Sequence, residues 1–138
     1  TDRMDAEALA DSMNALGLGG VIFRPIYLRP YYMSKKGEEL KGVQIHLTDP
    51  GKTALTGIQF HLLREAEKID PYFHLFRDRE ERYRMFDQVC GTDRIRKAII
   101  EDEDPEKALK IWRGDTGEWE AFMNTARKYH LYDSCVKN

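Results

Sequence analysis

Gly42-Val43-Gln44-Ile45-His46-Leu47-Thr48-Asp49-Pro50 is the stretch that decides the architecture. Apolar and polar residues alternate through it. Successive side chains of a strand point to opposite faces, so Val43, Ile45 and Leu47 fall on one side and Gln44, His46 and Thr48 on the other. Asp49-Pro50-Gly51 then turns the chain. Upstream, Gly20-Val21-Ile22-Phe23-Arg24-Pro25-Ile26-Tyr27-Leu28-Arg29-Pro30 is short, β-branched and aromatic, and predicts a second strand. Pro25 has no N–H to give to a ladder, which confines it to an edge or a bulge. Residues 31–41 make a polar connector with an aromatic entrance, Tyr31-Tyr32.

Outside these strands the pattern is helical. Ala8, Leu9, Ser12, Met13 and Leu16 line one side of a first helix, with Asp5 as N-cap and Gly17, Gly19 and Gly20 at its end. Ile58, Leu62, Ala66 and Ile69 recur at helical spacing across residues 53–69, and Asp70-Pro71 stops that helix. Residues 72–76 read as a short third strand or a packed loop. Residues 77–84 read as a solvated charge run, and Met85, Phe86 and Val89 as a short turn. Thr92 or Asp93 caps a helix that turns Ile95, Ala98 and Ile99 inward. Asp104-Pro105-Glu106 opens another by the cap-then-proline rule. Ala108, Trp112, Asp115, Trp119, Phe122, Ala126 and Tyr129 then repeat at four-three spacing and predict a core stripe, with a kink or break where Gly114 and Gly117 weaken it. The expected class is α+β, a small antiparallel sheet packed with four to five helices in a single domain spanning residues 1–138.

Composition narrows the function. A chain of 138 residues, 41% hydrophobic, is long enough to bury a core. Its net charge of −2 argues against nucleic acid as a partner, since phosphate-binding domains are usually strongly basic. No apolar run approaches a membrane span, and no signal peptide opens the sequence. Cys90 and Cys135 lie outside any metal-ligand spacing, and whether they pair cannot be read from sequence. The abrupt start, Thr1-Asp2-Arg3, carries the expectation of a piece cut from a longer protein.

The strand faces carry the candidate chemistry. If the strands pair, Arg24, Gln44 and His46 share one face, with Tyr27, Tyr31 and Tyr32 at or near its end. A guanidinium, an amide, an imidazole and nearby phenols suit a polyhydroxy ligand bearing a carboxylate, which arginine binds in bidentate fashion. The alternative is that Arg24 and Gln44 are spent on helix ends and loop carbonyls. No metal and no cofactor is expected: His46, His61, His74 and His130 sit on separate elements without zinc-site spacing. The acidic run 101–104 lacks the ligand alternation and glycine of an EF-hand. Gly17-x-Gly19-Gly20 precedes a strand rather than following one, the wrong order for a dinucleotide fingerprint. Arg113-Gly114-Asp115 is a three-residue match of chance frequency. No serine stands in a nucleophile elbow. No Asp or Glu occupies a plainly apolar segment that would raise its pKa for general-acid work. By themselves the residues describe a globular binding domain without a complete active site, so no catalytic residue is assigned.

The strand pieces 20–30 and 41–49 resemble the C-terminal half of the exo-acting β-N-acetylmuramidase family, long known as a domain of unknown function. Phe86-Asp87-Gln88-Val89-Cys90-Gly91-Thr92-Asp93-Arg94-Ile95-Arg96, Ile111-Trp112 and the ending Phe122, Arg127, Tyr129, Leu131 and Tyr132 agree with it. The resemblance implies a two-part enzyme. A Rossmann-like N-terminal part carries the catalytic glutamate, and a smaller C-terminal part closes a cleft over a terminal N-acetylmuramic acid unit of peptidoglycan. Arg24, Gln44 and His46 match positions implied to face that cleft; Tyr27 matches less closely. The Rossmann-like part and its glutamate are absent here, which implies no hydrolase activity for this chain alone. The stretch 31–36 departs from the family pattern. The implied setting is the cell envelope or the exterior. The competing reading is a free-standing, non-catalytic carbohydrate-binding or structural interaction domain.

Overall fold

The computed structural model describes residues 3–32, 35–76, 80–101, 104–114 and 116–130. The expectations resting on Met33, Ser34, residues 77–79, Asp102, Glu103, Asp115, Leu131, Tyr132 and Cys135 lie outside them. Helix α1 (Ala6–Ala15) leads into strands β1 (Val21–Leu28) and β2 (Leu40–Leu47), then helix α2 (Leu55–Ile69). Helices α3 (Tyr83–Cys90), α4 (Arg94–Glu101), α5 (Pro105–Arg113) and α6 (Thr116–Ala126) follow, with short 3₁₀ turns at Glu80–Arg82 and Arg127–Tyr129. The chain is an α+β domain.

Helix α1 starts where the Asp5 carboxylate accepts the Ala8 N–H at 3.0 Å, a cap of about 1 kcal/mol. It lays Leu9, Ala10 and Met13 on the sheet. The strands form one antiparallel ladder running from Val21↔Leu47 to Leu28↔Leu40. Its inner face puts Val21 and Phe23 into the core, with Val43 packed against them. The ladder is closed at one end by Gly20, whose backbone has a φ of 72°. The Gly20 carbonyl accepts the N–H groups of Thr48 at 2.9 Å and Asp49 at 3.1 Å. It also accepts the Thr53 hydroxyl at 2.8 Å. One backbone oxygen thus joins the start of β1, the end of β2 and the approach to α2.

Helix α2 divides the interior into two apolar clusters. Ile58, Leu62, Ala66 and Ile69 pack with Met4, Leu9, Met13, Val21 and Phe23. Phe60, on another side of the same helix, joins Ile95, Ala98, Ala108 and Leu109, with Trp112 against them. The Phe60 and Trp112 rings meet edge-to-face at 6.1 Å, a geometry favoured by aromatic quadrupoles.

Glu65 lies on the apolar stripe of α2 and is buried, although its neighbours in sequence, Arg64, Glu67 and Lys68, are charged. The Ser12 hydroxyl of α1 donates to it, and the Lys68 ammonium approaches to 2.6 Å. Burial pushes its pKa up, but the Lys68 and Ser12 hydrogen bonds and the charges of Lys68 and Arg64 outweigh it, so the net shift is downward. A carboxylate with a depressed folded pKa stabilises the fold fully above its unfolded value, 4.5, and loses that contribution as pH falls through the lower folded value. Thermal melts of the wild type should therefore weaken with acidification below about pH 5, the upper end of that acid window. Glu65→Gln should remove part of the slope; identical slopes would refute the assignment.

One open alternative closes and two expectations change. Of the two readings for residues 72–76 the packed loop holds, with buried Phe76 edge-on to Tyr83 at 6.0 Å and Phe86 at 4.8 Å. The expected turn at Met85–Val89 belongs to α3, whose Phe86 and Cys90, four residues apart, pack on the second cluster. The long aromatic stripe breaks at Gly114, and its second half leaves the core. Trp119 and Phe122 are 59% and 60% exposed, stacked on each other at 5.8 Å. Among the described side chains of α6, residues 117–126, none is buried.

Candidate functional site

The ladder register settles which side chains share a face. Arg24 stands opposite Gln44 and Ile22 opposite His46. Directly opposed residues of an antiparallel pair point the same way, and alternate residues along each strand repeat that direction. Ile22, Arg24, Ile26 and Leu28 therefore share the outer face with Leu40, Gly42, Gln44 and His46. Helix α1 covers the opposite face, and no described element packs over this one.

On that face the Gln44 side-chain oxygen lies 3.1 Å from His46 Nε2. With the Nε2 proton donated to that oxygen, the Gln44 NH₂ and the other imidazole nitrogen remain to meet a ligand. Arg24 is exposed, and no described group pairs with its guanidinium. Among the described residues, neither Arg24 nor Gln44 is bound to a helix end or a loop carbonyl. Gly42 sits diagonally from Arg24, and a Cβ built there meets nothing within 4 Å. Its missing side chain leaves a shallow recess beside the guanidinium and the amide. Sequence reasoning passed over Gly42; a glycine inside a strand was the signal, since it marks close approach by something else.

Tyr27 does not join the group. It has the other parity and lies on the α1 side, where its phenol donates to the Glu7 carboxylate. That hydrogen bond first, then burial and the charges of Glu7 and Asp5, push the phenol pKa up. Tyr27 instead lines an open hollow of about 360 Å³ at the open end of the hairpin, with Leu28, Arg29, Glu39, Leu40 and Lys41. Arg29 and Glu39 pair across it at 2.5 Å. Tyr31 and Tyr32 are both exposed just beyond.

The chemistry this face offers is recognition: one cation, hydrogen-bonding groups that both donate and accept, and apolar flanks at Ile22 and Leu28. It carries no carboxylate for proton transfer. Among the described residues no cluster of His, Cys, Asp and Glu could hold a metal ion. No described helix is long and apolar enough to cross a membrane.

Comparison with known proteins adds to this geometry. A family model described as "Exo-beta-N-acetylmuramidase NamZ, C-terminal" matches residues 1–132. The crystal structure of a DUF1343 family protein from Bacteroides fragilis is similar over 94% of this chain, with 38% sequence identity and a TM-score of 0.79. The chain spans 33% of that protein's length. No curated protein matches it.

Proposed function

The chain belongs to the family of exo-beta-N-acetylmuramidase C-terminal domains, and from that membership we propose that its outer sheet face holds the saccharide in a cleft-forming role. The observation that carries the reading is the gathering of Arg24, Gln44 and His46 on one face that no described element covers, with no described partner for the Arg24 guanidinium. In the proposed complex the Arg24 guanidinium takes the lactyl carboxylate of a muramic-acid-containing saccharide through two parallel N–H···O bonds. Gln44 and His46 take ring or N-acetyl oxygens, and the Gly42 recess admits the edge of the sugar.

Proton transfer is assigned to the rest of a longer protein, in the proposal a Rossmann-like N-terminal domain that supplies the glutamate. The exposed Ile22 and Leu28 on the same face, each 44% exposed, favour a neighbouring domain leaning on it and closing the cleft. The whole enzyme in this proposal releases N-acetylmuramic acid from peptidoglycan fragments at the cell envelope or outside the cell.

Titration of the isolated chain with N-acetylmuramic acid, followed by amide NMR shifts, tests the reading. Gln44 and His46 are expected to move. N-acetylglucosamine, which lacks the lactyl carboxylate, is expected to bind more weakly. Arg24→Ala should weaken binding of the acid by about tenfold, ~1.4 kcal/mol, a modest figure because the site is open to water. Gly42→Val should also weaken it while leaving the melting temperature nearly unchanged, since no described group opposes its side chain. Silence at both Gln44 and His46 would overturn the proposal.

A further inference from the structure

The two edges of the sheet are finished differently. On the free edge of β1 the Asn14 side chain accepts the Phe23 N–H at 2.9 Å and donates to the Phe23 carbonyl at 2.8 Å. One amide thus does what a neighbouring strand would do. Two residues further, Pro25 removes an N–H from the same edge. Both devices block strand addition.

Because the Phe23 backbone groups point outward, Phe23 and Ile45 form a non-hydrogen-bonded pair, and the N–H and C=O of Ile45 also point away from the ladder. By the period of two, so do those of Val43 and Leu47. No described group bonds to these outward atoms. Strand β2 carries no proline and no carboxylate, and over Val43–Leu47 no described side chain caps its outward backbone. Its inner-face side chains repeat the imbalance. Val21 and Phe23 are 9% and 2% exposed, whereas Leu47 and Ile45 opposite them are 46% and 43% exposed.

We propose that the open edge of β2 pairs with β2 of a second copy of this chain, antiparallel about a twofold axis, in the order β1-β2-β2′-β1′. The sequence of β2 is self-complementary in this arrangement. With Val43 set opposite Ile45 of the second copy, these outward-facing residues exchange both hydrogen bonds in each direction. Gln44 then faces Gln44 across the axis, and their amides match donor to acceptor. Gly42 faces His46 and leaves room for the imidazole. Lys41 faces Leu47, so no like charges oppose. The half-exposed Ile45 and Leu47 gain apolar neighbours. Two Arg24-Gln44-His46 groups come to lie on one continuous four-stranded face. The pairing stands on the edge chemistry alone and does not depend on what that face binds.

Sedimentation equilibrium of the full chain under reducing conditions, from micromolar to millimolar, is expected to show a reversible monomer–dimer equilibrium. Val43→Pro deletes an outward donor without touching the β1 ladder, and Ile45→Lys places two ammonium groups diagonally across the junction. Each should weaken dimerisation at least about tenfold, ~1.4 kcal/mol, with the circular dichroism of the wild type. If Val43→Pro does not fold, Ile45→Lys alone decides. A monomer throughout the range, a dimer indifferent to the variants, or open-ended oligomers would each overturn the proposal. So would a monomer whose Val43 and Ile45 amides are protected from hydrogen exchange, which would give the edge to another segment of the same chain.

Discussion

Gly20→Ala is expected to destabilise the domain by about 3 kcal/mol or more, the sum of a left-handed backbone and an overpacked contact. The backbone at Gly20 has a φ of 72°, and an added Cβ would lie 2.2 Å from the Asp49 carbonyl oxygen and 2.5 Å from the Thr53 hydroxyl. A backbone carbonyl cannot swing aside as a long side chain can. Yielding would break the hydrogen bonds that the Gly20 oxygen accepts from Thr48, Asp49 and Thr53, so the hairpin would part from the approach to α2. Gly17→Ala is the control. Its φ is 63° and its Cβ would meet nothing within 4 Å, so it should cost only the conformational term, about 1–2 kcal/mol. Urea denaturation of both variants gives the comparison. Equal losses would mean that the close approach at Gly20 carries no energy.

Phe23→Ala should cost about 3–5 kcal/mol, the range for truncating a buried aromatic side chain. The ring is nearly sealed between the sheet and α1, and the backbone of the same residue is bound on both sides by Asn14, so the site has little freedom to collapse onto the void. Ile22→Ala, one residue earlier and on the outer face, should cost under about 1 kcal/mol, because a half-exposed side chain loses little burial. The ratio between neighbours measures the two-residue period directly. Comparable losses would show that the outer face is covered in solution.

That period is also what made the candidate site readable. Arg24, Gln44 and His46 follow from alternation once the strands pair, and pairing needs only a turn and matched lengths. The parity of Tyr27 against Arg24 was equally on view; nearness in sequence had been allowed to stand for nearness in space. Helix caps at Asp5 and Asp104 were legible because they depend on residues within three positions of each other. The bracket of Asn14 around Phe23 was not, since an amide gripping a strand edge nine residues away leaves no periodic trace. The stripe through Trp112, Trp119 and Phe122 marks amphipathic spacing, but spacing does not say whether a partner surface is present. Gly114 ended α5 and took α6 away from the layer that holds Trp112. Glu65 left no mark because a helical stripe is recognised by its apolar members, and its partners are a hydroxyl on a different helix, Ser12, and an ammonium one turn along, Lys68.

The break at Gly114 has an optical consequence. Trp112 is partly buried against Phe60 and Trp119 is exposed beside Phe122, so the emission of Trp112 is expected to lie to the blue of that of Trp119. The chain brings its own pair of reporters, one answering to loss of packing among the helices and the other to whatever comes to rest on α6.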